Sequence, residues 1–231
     1  MGTGRKEIKR ILMIIFWVFA ASFCRSSRLP CFGTTARAAF ALIRPLIYIG
    51  LFFAWSNMVR QSIINTFLRM YLLAVAYGGI FLILIRTIKF EMTIRGDCLN
   101  LFLQYAYYIP TILIPTFTLF SALHTRRSEN YKIPKRIFLP VVCISLTLLM
   151  FVFTNNFHHL FYGCKNGVFT VQGYTYGILY YIVLLWISLL ILASVIIILM
   201  KARSIPNKRL AAIKPFIVMG IIAGYFFLEK I

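Results

Sequence analysis

Apolar residues in this chain gather into long unbroken blocks, without the polar gaps that a period of 2.0 or 3.6 would leave. The clearest block, Ile178 to Met200, runs 23 residues without a charge. That is enough to cross a hydrocarbon core of about 30 Å. Seven such segments follow one another, at roughly 11–24, 38–57, 68–85, 99–123, 137–153, 176–200 and 215–228. The first and last hold 14 residues each, or about 21 Å of helix, which is short of a full span. Alternating segments of about ten residues, the mark of a membrane barrel, are absent, and no internal repeat or Gly/Ser/Pro linker divides the chain. The pattern predicts an all-α, polytopic transmembrane bundle of about seven helices, forming one membrane domain over residues 1–231.

Composition agrees. Of the residues, 61% are hydrophobic and 13% charged, where a soluble domain carries about a quarter charged. The net charge of +20 raises nucleic acid as a partner. The bases, however, lie in loops and at segment ends, not along one helix face among stacking aromatics, so no nucleic acid is expected. The expected partner is the lipid bilayer.

Alternating the seven segments across a membrane sorts the bases. One side receives Arg5, Lys6, Lys9, Arg10, Arg60, Arg69, Arg126, Arg127, Lys132, Lys135, Arg136, Lys201, Arg203, Lys208, Arg209 and Lys214, which is 16. The other receives Arg25, Arg28, Arg37, Arg44, Arg86, Lys89, Arg95, Lys165 and Lys230, which is 9. Since short cytoplasmic loops are enriched in Lys and Arg, the N-terminus is expected in the cytoplasm and the C-terminus outside. The first segment, with four bases before it and Ala20-Ala21 near its end, also has the form of a secretory signal peptide. No clean small-x-small site precedes Arg25, which favours a retained signal anchor.

The strongest local signal for chemistry is Thr154-Asn155-Asn156-Phe157-His158-His159-Leu160-Phe161-Tyr162, at the outer end of the fifth segment. Asn and His are costly in lipid, so they face water, the bundle interior or one another. The plain reading is a polar helix exit, the sharper one a ligand- or proton-sensing surface. Adjacent His158 and His159 point different ways on a helix and have no carboxylate nearby, so no metal is expected. Arg44, before Pro45, is the deepest charge; it either snorkels to the headgroups or binds an anionic or polar partner. Arg44, Asn155, His158 and His159 are therefore the candidate ligand-sensing residues. Pro110 and Pro115 are expected to kink the fourth helix, and the tyrosines at 105, 107, 108, 174, 176, 180 and 181 read as interfacial belts. Gly220 and Gly224 form a small-xxx-small pair. A Cys98–Cys164 bridge is possible, with free thiols the plainer reading.

No P-loop, Rossmann glycine pattern, H-E-x-x-H or G-x-S-x-G occurs. The five acids, Glu7, Glu91, Asp97, Glu129 and Glu229, all lie outside the helix interiors. Neither an enzyme nor an ion-coupled transporter is expected on that basis, and no cofactor.

Several stretches carry a resemblance. They are Ala41-Leu42-Ile43-Arg44-Pro45-Leu46-Ile47-Tyr48-Ile49-Gly50-Leu51-Phe52, then Arg69-Met70-Tyr71-Leu72-Leu73-Ala74, and Leu84-Ile85-Arg86-Thr87-Ile88-Lys89-Phe90. Next come Tyr107-Tyr108-Ile109-Pro110 with Pro115, then Thr154-Asn155 with His158-His159-Leu160-Phe161-Tyr162 and the long helix through Trp186. In order and spacing these resemble the multi-helix membrane input region at the N-terminus of bacterial sensor histidine kinases, over residues 38–231, leaving 1–37 as an extra helix and loop. The resemblance implies a plasma-membrane sensor in two-component signalling, with its asparagine–histidine loop outside. It also implies an unknown small ligand and a kinase or other signalling protein as cytoplasmic partner. In that family the last helix leads to a cytoplasmic domain. Here an outer C-terminus and the missing phospho-acceptor and nucleotide-binding motifs make a truncated or split sensor the expectation. A small transporter or channel component, or a non-functional remnant, are the alternatives.

Overall fold

The computed structural model describes residues 34–92, 98–163 and 175–202. Helix α1 spans Thr34–Ser62 and α2 Thr66–Thr87, the latter running on into a π-turn at Ile88–Met92. After the gap come α3 (Cys98–Ala106), α4 (Tyr108–His124), α5 (Lys135–Phe153), the single turn α6 (Asn155–His158) and α7 (Ile178–Ala202). Five spans among the described residues are long and apolar enough to cross a membrane, with α3 and α4 together counting as one. They coincide with the second to sixth segments of the sequence. The segments at 11–24 and 215–228, both termini, Gly220, Gly224 and Cys164 lie outside the described residues, as does the side chain of Cys98. Cys143 is exposed on α5.

The break at Tyr107 has a local cause. Pro110 has no N–H to offer the carbonyl of Ala106, and its ring crowds that carbonyl. The chain stays continuous there because the Tyr107 N–H still reaches the Leu103 carbonyl at 3.0 Å. Asn65 opens α2 as its N-cap, its side chain accepting from the Leu68 N–H at 3.0 Å.

Helix α4 is the axis of the bundle, packed on α2, α5 and α7, while α1 packs on α2. One core joins α4, α5 and α7 through Tyr108, Ile112, Leu148, Val152, Phe161, Tyr180 and Val183. A second joins α1 and α2 through Phe52, Trp55, Val59, Leu72, Val75 and Ala76. Gly79 is needed there, since a Cβ on it would collide with the Phe52 ring. The remaining faces of all five spans carry exposed Leu, Ile, Phe and Met, as lipid-facing helices do.

Up-down alternation produces two rims. The first gathers the α1–α2 loop, the α4–α5 loop and the end of α7. The second gathers the π-turn that follows α2, the start of α3, the α5 exit and the start of α7. At the second rim a short antiparallel pair, Tyr162–Gly163 with Thr175–Tyr176, closes over the core.

Candidate functional site

Helix α5 ends because its exit residues take over its last carbonyls. Thr154 donates from both N–H (2.9 Å) and hydroxyl (2.8 Å) to the Met150 carbonyl. The Leu160 N–H donates to His158 Nδ1 at 3.0 Å, so in the neutral ring Nε2 carries the proton and donates to the Phe151 carbonyl at 3.0 Å. His158 is thus a helix cap with both ring nitrogens engaged. His159 follows in the left-handed conformation, φ 52° and ψ 21°, its N–H closing the turn onto the Asn155 carbonyl at 2.8 Å.

Asn155 lies beneath this turn with no exposed surface. Its Oδ1 accepts from the Phe161 N–H at 2.8 Å and from the Tyr162 N–H at 3.2 Å. Its Nδ2 donates to the Tyr105 hydroxyl at 3.3 Å and the Tyr162 carbonyl at 3.4 Å. Tyr105 donates onward to Asn156 Oδ1 at 3.1 Å. One buried amide therefore folds residues 155–162 back on themselves and ties them to α3.

An aromatic cluster completes the rim. The Tyr108 and Tyr162 hydroxyls meet at 2.8 Å. Phe161 stands edge-on to Tyr108 at 4.7 Å and to Tyr180 at 5.8 Å between ring centres, and Tyr176 stacks on Tyr180 at 4.2 Å. Burial pushes the Tyr162 hydroxyl up to about 12, with Tyr176 and Tyr180 adding to the shift and hydrogen bonds from Tyr108 and Gln104 opposing it. Gly177 allows the crossing beneath, since a Cβ there would run into the Leu160 carbonyl.

At mid-depth, Trp186 Nε1 on α7 donates to Ser145 Oγ on α5 at 3.1 Å. Ser145 lies 3.1 Å from Thr116 Oγ1 on α4, and Thr116 donates to its own Ile112 carbonyl at 2.9 Å. Since Thr116 uses its proton there, Ser145 is the donor between the two. At the first rim, Lys201 Nζ on α7 donates to the carbonyls of Ala122 (2.8 Å), Leu123 (2.7 Å) and Thr125 (2.8 Å). These are among the last carbonyls of α4, where a cation is favoured. Arg126 reaches back to the Lys201 carbonyl.

A family comparison matches residues 89–227 to the N-terminal 7TM region of histidine kinase. That is more than half of the chain. The chain belongs to this family. Comparisons with curated proteins and with solved structures gave no match. Asn155, His158 and His159 fall inside the part matched to the histidine-kinase 7TM family, while Arg44 on α1 precedes it. Arg44 is half-buried beside the buried Pro45 and stands near the same rim as the other three.

The structure brings Asn155, His158 and His159 together within one turn and gives each a different place: buried staple, helix cap, left-handed stop. Tyr105, Tyr108 and Tyr180, read as belt residues, are buried within the bundle, whereas Tyr176 and Tyr181 are exposed. Among the described residues no group of His, Cys, Asp and Glu has the arrangement of a metal site. Sequence reasoning missed Lys201. Its signal was a single cation closing a charge-free block, on one face with Leu190, Ser194 and Ile198.

Proposed function

We propose that this chain is the signal-input part of a two-component-type system in a bacterial plasma membrane. The base-rich first rim faces the cytoplasm and the asparagine–histidine rim faces outward. The N-terminus is then cytoplasmic and the C-terminus outer, as the count of bases requires. Arg44, Asn155, His158 and His159 are the proposed sensing residues, and the helix pair α4–α7 carries the response to a kinase or other signalling protein inside. The stimulus is an unidentified small molecule or proton, and the module itself is non-catalytic. The observation that carries this reading is the buried Asn155 network: a polar staple held dry between an outer turn and α3 is a place where a ligand can exchange one set of hydrogen bonds for another.

The test joins the chain to a kinase of the same family with a transcriptional reporter. His158→Ala and Arg44→Gln should lose the response while insertion and expression stay normal; an unchanged response in both removes the sensing assignment. For orientation, alkaline phosphatase fused after Gly163 should be active and after Glu129 inactive, and the reverse pattern inverts the topology.

A further inference from the structure

The turn after α4 displays two consecutive guanidiniums beside an ammonium from another helix, with Glu129 the nearest acid in sequence. Arg127 closes the turn, its N–H donating to the His124 carbonyl at 3.1 Å. Its own carbonyl accepts from Asn65 Nδ2 at 3.3 Å. Arg126 between them is held at φ 66°, a left-handed conformation that costs a non-glycine residue about 1 kcal/mol. The effect is to turn Arg126 toward the end of α7, where it meets the Lys201 carbonyl. Arg127 lies 4.9 Å over the Tyr131 ring, and both guanidiniums act electrostatically on Lys201. Like charges brought together at a membrane rim repel, and Lys201 spends all three of its protons on backbone carbonyls.

We propose that Arg126 and Arg127, over Lys201, form a binding site for a phosphate group at the base-rich rim. A phosphate takes bidentate hydrogen bonds from the guanidinium forks and removes the repulsion across the α4–α7 junction. An anionic phospholipid headgroup and a free phosphate share this chemistry. Bound there, the group fastens the end of α7 to the end of α4. The inference rests on the geometry of this rim and stands whether or not the outer loop senses anything.

The test uses the purified full chain in nanodiscs of phosphatidylcholine alone, or with one third phosphatidylglycerol, and reads Tm together with lipid retained in native mass spectrometry. Phosphatidylglycerol should raise Tm and be retained selectively, with retention falling about fivefold for each guanidinium removed by Arg126→Gln and Arg127→Gln. Lys132→Gln with Lys135→Gln, which removes the same charge from exposed positions in the same loop and at the first residue of α5, should leave retention near wild type. If inorganic phosphate in phosphatidylcholine discs reproduces the Tm shift and the arginine variant loses it, the site stands and its source is the free ion. Equal losses in the arginine and lysine pairs, or no loss in either, overturn the proposal in favour of diffuse attraction. Should the glutamine variant misfold, Arg126→Lys with Arg127→Lys keeps the charge and loses the fork; undiminished retention there likewise overturns it.

Discussion

Replacing Asn155 by Ala removes an acceptor from two buried N–H groups at once. The Phe161 and Tyr162 amides both point at Oδ1, and no exposed surface at Asn155 offers water as a substitute. An orphaned buried donor costs about 1–3 kcal/mol, which sets the range for the pair at about 2–6 kcal/mol. Two effects pull the value down. Hydrogen bonds inside membrane bundles are worth about 0.6 kcal/mol on average, because the unfolded reference also finds partners. The truncated site also lies at a rim, where slight opening admits water. We therefore expect a loss of about 2–4 kcal/mol in reversible unfolding of the chain in detergent or bicelles.

The neighbouring Asn156→Ala is the control. Asn156 is exposed and holds one bond, from Tyr105 at 3.1 Å, so its removal should change stability by less than about 0.5 kcal/mol. Amide hydrogen exchange supplies a second readout. Phe161 and Tyr162 should lose protection in the Asn155 variant while α4 keeps its own. If Asn155→Ala behaves like Asn156→Ala, with both amides still protected, the staple does not exist and the second rim is held by aromatic packing alone. The result also governs how signalling data are read. A loss of response in Asn155→Ala reports on sensing only when residual stability is shown to suffice, which makes His158→Ala the cleaner probe of function.

Three further substitutions test the same rim. His159→Gly relieves left-handed strain at φ 52° but gives up the contacts of the ring and adds backbone entropy, so stability should change by less than about 1 kcal/mol; a loss above about 2 kcal/mol would show that the ring contacts far outweigh the strain. The Tyr162 hydroxyl ionises near 10 when unfolded and at about 12 in place. Its neutral form therefore supports the fold fully below pH ~10, and that support is lost as pH rises through ~10 to 12; ultraviolet tyrosinate titration should show a late-ionising group that Tyr162→Phe removes. Gly177→Ala drives a methyl into the Leu160 carbonyl and should destabilise by about 1–3 kcal/mol, with a wild-type melting curve counting against the close crossing.

The five described spans were legible because each is a long apolar block with few charges that satisfies its own backbone, the one thing a bilayer demands of every segment. Their inward faces were not. Lipid and protein core are equally apolar, so Tyr108 facing Tyr162 looks in sequence like Tyr181 facing lipid. The exit motif drew attention to Asn155, His158 and His159, yet only the fold shows that Asn155 is dry and that His158 has both nitrogens engaged. These roles depend on where Phe161, Tyr162 and Leu160 return, seven residues or fewer along the chain but across a reversal that residue type does not encode. Lys201 was hidden for another reason. A positive charge at a helix end is what the inside rule already predicts, so nothing distinguished the one that reaches three carbonyls at the end of another helix.

The three ties between α4 and α7 differ in kind, and the difference constrains how α7 can move. At the second rim Phe161 wedges between Tyr108 and Tyr180, and Leu179 and Val183 are buried beside them. At mid-depth the chain Trp186 to Ser145 to Thr116 to the Ile112 carbonyl uses each donor once. Below that, the buried residues of α7 are Leu190, Ser194 and Ile198, none of them in the main cluster, and the helix ends in the Lys201 clamp. Sliding α7 by one turn, about 5.4 Å, breaks all three ties together. Tilting it about the aromatic wedge breaks only the clamp, which is charge-assisted and reaches the polar rim, where water can replace the carbonyls. Tilt is thus the movement that disturbs least. Spin labels at Ser128 and Met200, both exposed, should move apart in Lys201→Met while a pair at Asn156 and Tyr181 holds its distance. Equal displacement of both pairs would point to sliding and refute the hinge, and no displacement of either would show that packing alone holds the C-terminal half of α7.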